Sequence, residues 1–353
     1  LLEVTRPGTV RPEGDLPRLL GPLVSGDNPR LRAAALKLVG TWNVDQLEPQ
    51  VLAVAKEETL PVMVRAAAME AMARMELPAA NKVLLAASSE SQPLPLRSAA
   101  VQSLAELDIQ AASRQAVALF ADARLEKTDA GSTLQALLGR DGGAEALAGT
   151  LQGTPLDAEA ARRMLEALFA SGRSDALLVS ILGQAIGTAR RALEYDPGYV
   201  KTLAARAGRD GKADRGVLIF QAMACASCHR ISGSGGGGGP DLTALGTTLS
   251  AERIVEELLW PSRQVKEGYT VLEVLTTGGR IYQGYQRTTK ESQQTGELVI
   301  QDLSSGKLVT FAEGEVEEKR AAGSAMPAGL TSLLSAEQLE DLVRYLTGLG
   351  KIE

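Results

Sequence analysis

Three segments near the start of the chain share one pattern: an arginine, then small residues, then apolar residues at helical spacing. Arg32, Arg65 and Arg97 occupy the same place in each segment, so the repeat length is 33 residues and then 32 (65 − 32 and 97 − 65). Each repeat also has room for a second amphipathic helix, such as 46–55 or 111–120. Because one helical hairpin cannot bury its own apolar face, the hairpins must stack on each other. The pattern therefore predicts an α-solenoid.

Composition agrees with closely packed helices, because only 12 aromatic residues are available and the interior must use Ala, Leu, Val and Met. The repeats resemble HEAT repeats, in which an arginine starts the inner helix. This resemblance covers roughly residues 14–120 and weakens towards 190, and an irregular helical bundle is the alternative. We interpret Arg32, Arg65 and Arg97 as hydrogen-bond donors within the repeats, and the region as a docking spacer.

A change in composition predicts where a second domain begins. A turn signal at 195–198 is followed by a polar stretch at 207–212. We therefore expect a helical repeat domain at 1–205 and a second domain at 206–353.

The net charge of −6 is spread over both halves, which argues against a nucleic-acid-binding arm. No apolar stretch is long enough to span a membrane, and a chain that starts at Leu1 is expected to be processed or part of a longer protein.

The two cysteines and the single histidine lie within five positions, as Cys225, Cys228 and His229. In a C-x-x-C-H sequence both thiols can add to the vinyl groups of a haem while the imidazole binds the iron. Three alternatives fit this sequence less well. A redox thiol pair favours a thioredoxin-like context, zinc needs four ligands, and a disulfide this short is strained. Covalent attachment of one haem c, with His229 as a metal ligand, fits best.

The second axial ligand of the iron could be a methionine or a lysine, or this position could stay vacant. Five of the seven methionines fall in the predicted repeats, and Met223 precedes Cys225 on its own helix. Met326 remains, in a Gly- and Pro-containing loop before a last amphipathic helix at 336–346. We predict Met326 as the second metal ligand, with a buried apolar residue as the alternative. Phe220, Leu242, Trp260 and Leu330 are the expected apolar neighbours of the haem.

His229 and Met326 are 97 residues apart (326 − 229), which is more than a small cytochrome needs. The excess contains alternating apolar patterns separated by Gly-containing turns. The sequence predicts a small antiparallel β insertion at about 269–318. Between Cys228 and this insertion lie five consecutive glycines, 235–239, which could lie flat against a macrocycle or form a flexible linker.

Residues 209–353 resemble class I cytochromes c, and more specifically the PVC-type haem-binding C-x-x-C-H domain found at the end of large membrane-bound dehydrogenases. The resemblance rests on the pentapeptide at 225–229, on Gly-Pro-Asp-Leu-Thr at 239–243 and on Ser-Ala-Met-Pro-Ala-Gly-Leu at 324–330. It implies that the Pro240 carbonyl accepts the Nδ1 proton of His229. The dehydrogenase part of such proteins is absent from this sequence, so that activity is not carried over.

The expected function is electron transfer, from a dehydrogenase to another cytochrome or an oxidase, without a catalytic residue. Two alternatives stay open: a subunit of a larger redox complex in which the solenoid is the main surface, or a haem enzyme in which Met326 can be displaced. Basic residues near Cys225, such as Arg206, Arg209 and Arg215, could steer an acidic partner. Because haem c is attached outside the cytoplasmic membrane, we expect a periplasmic or other extracytoplasmic location, conditional on an upstream signal.

Overall fold

The computed structural model describes residues 11–154, 156–170, 175–187 and 194–351. The chain divides into two compact units, one within residues 1–155 and one within 156–353. None of the helices in these described ranges is long and apolar enough to cross a bilayer.

The first unit consists of helices. They are α1 (Leu16–Val24), α2 (Pro29–Thr41), α3 (Glu48–Lys56), α4 (Val62–Arg74), α5 (Ala80–Ala87), α6 (Leu94–Leu107), α7 (Ile109–Phe120), α8 (Lys127–Leu138) and α9 (Gly143–Gly153). Helices α2, α4, α6 and α8 form one layer in which each helix contacts the next, and α7 contacts α9 in the other layer. The predicted stack of helical hairpins is confirmed.

Small residues set the spacing between neighbouring repeats. A Cβ atom added to Gly40 of α2 would lie 2.6 Å from the Cα of Ala71 in α4, so these two helices touch backbone to backbone. Around this contact Leu36 and Met69 are completely buried. Alanine and glycine therefore allow the close helix packing that the composition predicted.

Two of the repeat arginines are buried and bonded within the solenoid. The Nε of Arg65 donates to the carbonyl oxygen of Ala55, at the end of α3, over 3.4 Å. The Nη1 of Arg97 lies 3.3 Å from Oδ2 of Asp122. Arg32 differs, since its buried Nε has no hydrogen-bond partner among the described residues. Arg65 and Arg97 are therefore hydrogen-bond donors within the repeats, as predicted, and each connects its helix to another segment of the solenoid.

The second unit contains α10 (Ala158–Ala170), α11 (Ala176–Ile186), α12 (Pro197–Asp210), α13 (Ala213–Ala222), α14 (Leu245–Thr248), α15 (Ala251–Leu259), α16 (Lys290–Thr295) and α17 (Ala336–Gly348). Its main hydrophobic core lies between α12, α13, α15 and α17. Gly216 lets α13 cross α17 at close range, because a Cβ atom there would collide with the carbonyl oxygen of Asp341. Beside this crossing the rings of Phe220 and Tyr345 meet edge to face, 5.7 Å apart.

Helix α12 spans the boundary that we expected between residues 205 and 206. Leu203 and Ala207, on either side of that boundary, are buried in the same core as Phe220. Residues 208–210 of the polar stretch that suggested a linker are exposed, but they form the last turn of α12, which packs within the second unit through its buried side. The weaker repeats expected up to 190 fall partly on 171–174 and 188–190, which lie outside the described residues.

The second unit also contains two antiparallel sheets. The strands are β1 (Arg230–Ile231), β2 (Ser234–Gly235), β3 (Thr270–Thr276), β4 (Ile281–Arg287), β5 (Leu298–Asp302), β6 (Leu308–Phe311) and β7 (Val316–Ser324). Strands β1 and β2 form a short hairpin, and the others form a sheet in the order β6-β5-β4-β3-β7. The predicted β insertion is confirmed as an antiparallel sheet, although its last strand continues to Ser324, six residues beyond the expected end.

Candidate haem site

The C-x-x-C-H pentapeptide forms one tight turn directly after α13. Ala224 takes a left-handed conformation (φ 54°), and Cys225–Ser227 then form a 3₁₀ turn. The N–H of His229 donates to the carbonyl oxygen of Cys225 over 2.9 Å, which places the two thiols one turn apart. Both cysteines are free thiols; Cys228 is exposed and Cys225 is partly buried. Burial raises the pKa of Cys225 to about 11, so its thiol is protonated at neutral pH.

The imidazole of His229 is held in one orientation and one tautomer. Its Nδ1 lies 2.8 Å from the carbonyl oxygen of Pro240. Since a carbonyl oxygen can only accept, Nδ1 carries the proton and Nε2 keeps its lone pair. Burial lowers the pKa of His229 more than the bond to Pro240 raises it, which favours the neutral ring. A neutral imidazole with an available Nε2 is the form that binds a metal ion.

The glycine run packs against the pentapeptide and is not a linker. The N–H of Gly236 donates to Ala226 and that of Gly239 donates to Cys228, over 2.9 and 2.8 Å. A Cβ atom at Gly236 would collide with the carbonyl of Ser227, and one at Gly239 would lie 2.8 Å from Cε1 of His229. These glycines allow the backbone to approach the turn and the imidazole, where we expected contact with a macrocycle.

A residue that the sequence analysis missed, Tyr285 on β4, is bonded to this loop. Its hydroxyl donates to the carbonyl oxygen of Gly238 over 2.7 Å, and its side chain is almost fully buried. Burial, followed by the charge of the nearby Cys228, raises the pKa of Tyr285 to about 12, so the hydroxyl keeps its proton. In the sequence, Tyr285 follows Gly284 in a segment with a weak alternating pattern, which does not by itself indicate a site residue. Its partner Gly238 is 47 residues away, so a local pattern does not reveal the hydrogen bond.

Most of the predicted apolar neighbours are brought together around one core. Phe220 belongs to the hydrophobic core of the second unit, and other predicted residues pack against it, namely Cys225, Leu242, Trp260 and Met326. Leu330 is the exception, because it begins a short 3₁₀ helix (Leu330–Leu333) and is not among the residues of this core.

Met326 lies in a loop fixed at both ends. Its N–H donates to Oγ of Ser324, the last residue of β7, over 3.1 Å. Gly329 has a positive φ of 79°, and its Cα packs against Val179 of α11. Pro327 between them is buried. The loop therefore holds Met326 beside the core that also contacts Cys225.

The other methionines differ in burial: the sequence placed five of them in the core of the repeats, but Met63 is exposed and Met75 is only partly buried. Met69, Met72 and Met164 are completely buried between helices. Met223 is the C-cap of α13, two residues before Cys225, as the sequence suggested. Met326 differs from them in that it is partly buried against the core that also contacts Cys225.

Trp260 contributes a buried donor that lacks an acceptor. Its Nε1 has no hydrogen-bond partner among the described residues. Its ring meets Tyr195 edge to face at 5.3 Å, and the guanidinium of Arg263 lies 3.6 Å from the centre of the Tyr195 ring. The hydroxyl of Tyr195 donates to Glu256 over 2.6 Å, which fixes this group. An unpaired buried N–H costs free energy, so the site is suited to an acceptor group from a ligand.

The basic residues expected to steer a partner are mostly paired. Arg206 bonds to Glu340 over 2.7 Å, and Arg215 lies 2.8 Å from Asp341. Arg209 pairs with Asp210 over 3.1 Å. These carboxylates, two of which come from α17, offset the positive charge that the local sequence suggested. The structure thus gives no support to a basic steering patch.

Comparison with known families separates an N-terminal region of helical repeats from a C-terminal region that contains the C-x-x-C-H pentapeptide. Residues 16–105 match HEAT repeats, and residues 213–274 match the cytochrome c family, whose members bind haem covalently. A search of curated proteins found no match. The second match runs from α13 through the pentapeptide and the glycine run into β3. The chain therefore carries HEAT repeats followed by a cytochrome c domain, the arrangement of a haem-based electron carrier joined to a helical scaffold.

Proposed function

We propose that this protein is a mono-haem c-type cytochrome that passes electrons from a dehydrogenase to another cytochrome or an oxidase. Cys225 and Cys228 attach the haem, and His229 and Met326 bind the iron. The observation that carries this proposal is the 2.8 Å hydrogen bond from Nδ1 of His229 to Pro240, which directs the free lone pair to Nε2. A haem held in this way supplies reversible one-electron transfer at its iron.

The residues of the attachment turn fit such a group. The two thiols are free and lie one turn apart, as two thioether bonds to one porphyrin require. The Pro240 carbonyl keeps the imidazole oriented and increases its basicity, which is the usual role of a second partner of a histidine ligand. Gly239 lies against the imidazole without a side chain, and a Cβ atom there would crowd Cε1, Nδ1 and Nε2 of the ring.

Met326 is the residue to which we assign the second bond to the iron. A thioether ligand favours ferrous iron and raises the reduction potential, and the apolar surroundings act in the same direction. The unpaired Nε1 of Trp260 is a suitable donor for a carboxylate of the haem. A haem held by both His229 and Met326 would supply electron transfer rather than oxygen or peroxide chemistry.

We assign the HEAT repeats a scaffolding role, either in docking a redox partner or in assembling a larger complex. Solenoids present extended surfaces to other proteins. The haem domain in this proposal includes α12, since Val200, Leu203 and Ala207 share its core. Because haem c is attached outside the cytoplasmic membrane, the proposed location is the periplasm or the cell surface.

An in-gel haem stain of the denatured protein tests the assignment. The chain is produced in cells that mature cytochromes c, as wild type, as Met326→Ala and as Cys225→Ser/Cys228→Ser. We expect the first two to stain, since only the thioether bonds survive denaturation, and the double variant to lose the stain. An unstained wild-type band, with mass unchanged from that of the polypeptide, would refute the proposal.

A further inference from the structure

The β insertion is bonded to the haem-binding loop through one peptide unit. The carbonyl of Gly238 accepts from the hydroxyl of Tyr285 over 2.7 Å, and the N–H of the same peptide, on Gly239, donates to the carbonyl of Cys228 over 2.8 Å. This peptide is therefore held from both sides, by β4 on one side and by the attachment turn on the other. Hydrogen bonds arranged in such a chain strengthen each other.

The two groups that fix His229 follow directly after this peptide. The Cα of Gly239 lies against the imidazole, and the carbonyl of Pro240 accepts its Nδ1 proton. A rotation of the Gly238–Gly239 peptide would move both. The orientation of the imidazole therefore depends on the partner of the Gly238 carbonyl.

The Tyr285 ring is itself held firmly. It is 4% exposed, meets the ring of Tyr269 edge to face at 5.6 Å, and lies 5.2 Å from the guanidinium carbon of Arg287. Strand β4 lies inside the sheet, between β3 and β5. A donor on an inner strand can keep the loop in one position far better than a donor on a mobile surface residue.

We propose that Tyr285 is a positioning residue for the proximal histidine, so that the β insertion adjusts the ligand strength of His229 and with it the reduction potential of the haem. This inference rests on the proposed function, in which His229 binds the iron. Tyr285 lies outside the part of the chain that matches cytochrome c, which ends at residue 274. The inserted sheet thus acts on the ligand through the Tyr285 hydroxyl, Gly238, Gly239 and Pro240.

The test compares Tyr285→Phe with Tyr282→Phe in the haem-loaded chain. Both changes remove one hydroxyl from β4, but the Tyr282 hydroxyl has no hydrogen bond among the described residues, and its ring packs on Phe311 at 5.3 Å. In the ferrous protein we expect Tyr285→Phe to speed hydrogen exchange of the Gly239 amide about tenfold or more, the effect of losing one buried hydrogen bond. The Nδ1–H resonance of His229 should shift in the same variant.

The reduction potential separates positioning from simple packing. A looser Pro240 carbonyl makes the imidazole a weaker donor, which stabilises ferric iron less, so the potential of Tyr285→Phe should rise while that of Tyr282→Phe stays at the wild-type value. Unfolding by denaturant is measured for both, to show that each variant is folded. A haem-loaded Tyr285→Phe with wild-type potential would overturn this inference alone. A wild-type chain without haem would overturn the proposed function as well.

Discussion

The Cα of Gly239 lies against the imidazole of His229, so close that a Cβ atom there would be 2.8 Å from Cε1 and 2.9 Å from Nδ1. The same glycine donates its N–H to Cys228, and the next residue accepts the Nδ1 proton. Three interactions of two consecutive residues thus orient one side chain. This arrangement explains why a glycine is needed at position 239 and not only a flexible loop.

Gly239→Ala should therefore disturb the site, whereas Gly237→Ala should not. A Cβ atom at Gly237 has only Arg230 Nη2 within reach, at 3.6 Å, and this atom is the end of a flexible side chain. We expect Gly239→Ala to cost about 1–3 kcal/mol of unfolding free energy, as overpacking does, and to shift the reduction potential. Gly237→Ala should change stability by under about 1 kcal/mol. Denaturant unfolding and potentiometry measure both, and equal effects of the two changes would contradict the packing argument.

Met326→Ala tests the second ligand. In the oxidised wild type we expect a far-red absorption band from sulfur-to-iron charge transfer, which the variant should lose while its potential falls. Met223→Leu is the control, since Met223 lies before Cys225 at the end of α13 and a change of similar volume is tolerated. If Met326→Ala retains the band and the wild-type potential, another group holds the iron.

Local patterns predicted those parts of the structure whose contacts are close in sequence. The repeat arginines and small residues were sufficient to predict the solenoid. The spacing of Cys225, Cys228 and His229 was sufficient to bring these residues together, and haem attachment by them stays a prediction. Strand β7 was missed because most of its residues are exposed, so it has no apolar alternation. The bond from Tyr285 to Gly238 could not be predicted, because it depends on how the inserted sheet folds back. The polar end of α12 suggested a domain boundary for a related reason, since the buried side of this helix is defined by contacts with α15 and α17, which come later in the sequence.

The ion pair between Asp122 and the buried Arg97 in the solenoid leads to a prediction about the free energy of unfolding. Asp122 binds two arginines, Arg97, which is 3% exposed, and Arg124, which is 78% exposed. Asp122→Asn leaves the Arg97 charge buried without its carboxylate and should cost roughly 3 kcal/mol. Arg124→Met should cost clearly less than Asp122→Asn, because the Arg124 guanidinium is itself exposed to solvent.

Low pH should have the same effect as Asp122→Asn, because protonation removes the negative charge of the Asp122 carboxylate. Hydrogen bonds from Arg124, and then the charges of Arg124 and Arg97, hold the pKa of Asp122 well below its usual range, although burial opposes this shift. A depressed pKa contributes stability above the unfolded value of about 3.9, and this contribution is lost as the pH falls further. The difference in unfolding free energy between wild type and Asp122→Asn should therefore shrink as the pH is lowered from 6 to about 3. A difference that is constant with pH would show that the carboxylate charge is not responsible.

The two tryptophans offer a matched test of the haem-facing donor. Trp42 in the solenoid and Trp260 in the haem domain both have a buried Nε1 without a hydrogen-bond partner among the described residues. Only Trp260 packs on the core that also contacts Cys225 and Met326, so only Trp260 should gain an acceptor from a bound haem. In the ferrous haem-loaded protein, the indole N–H signal of Trp260 should move downfield and exchange slowly with solvent, relative to the Cys225→Ser/Cys228→Ser chain. The signal of Trp42 should be the same in both.

Trp260→Phe and Trp42→Phe assign the two signals. Trp260→Phe should also change how the reduction potential varies with pH, since a carboxylate that loses its donor takes up a proton more easily. Equal pH profiles for wild type and Trp260→Phe would place the haem carboxylates elsewhere.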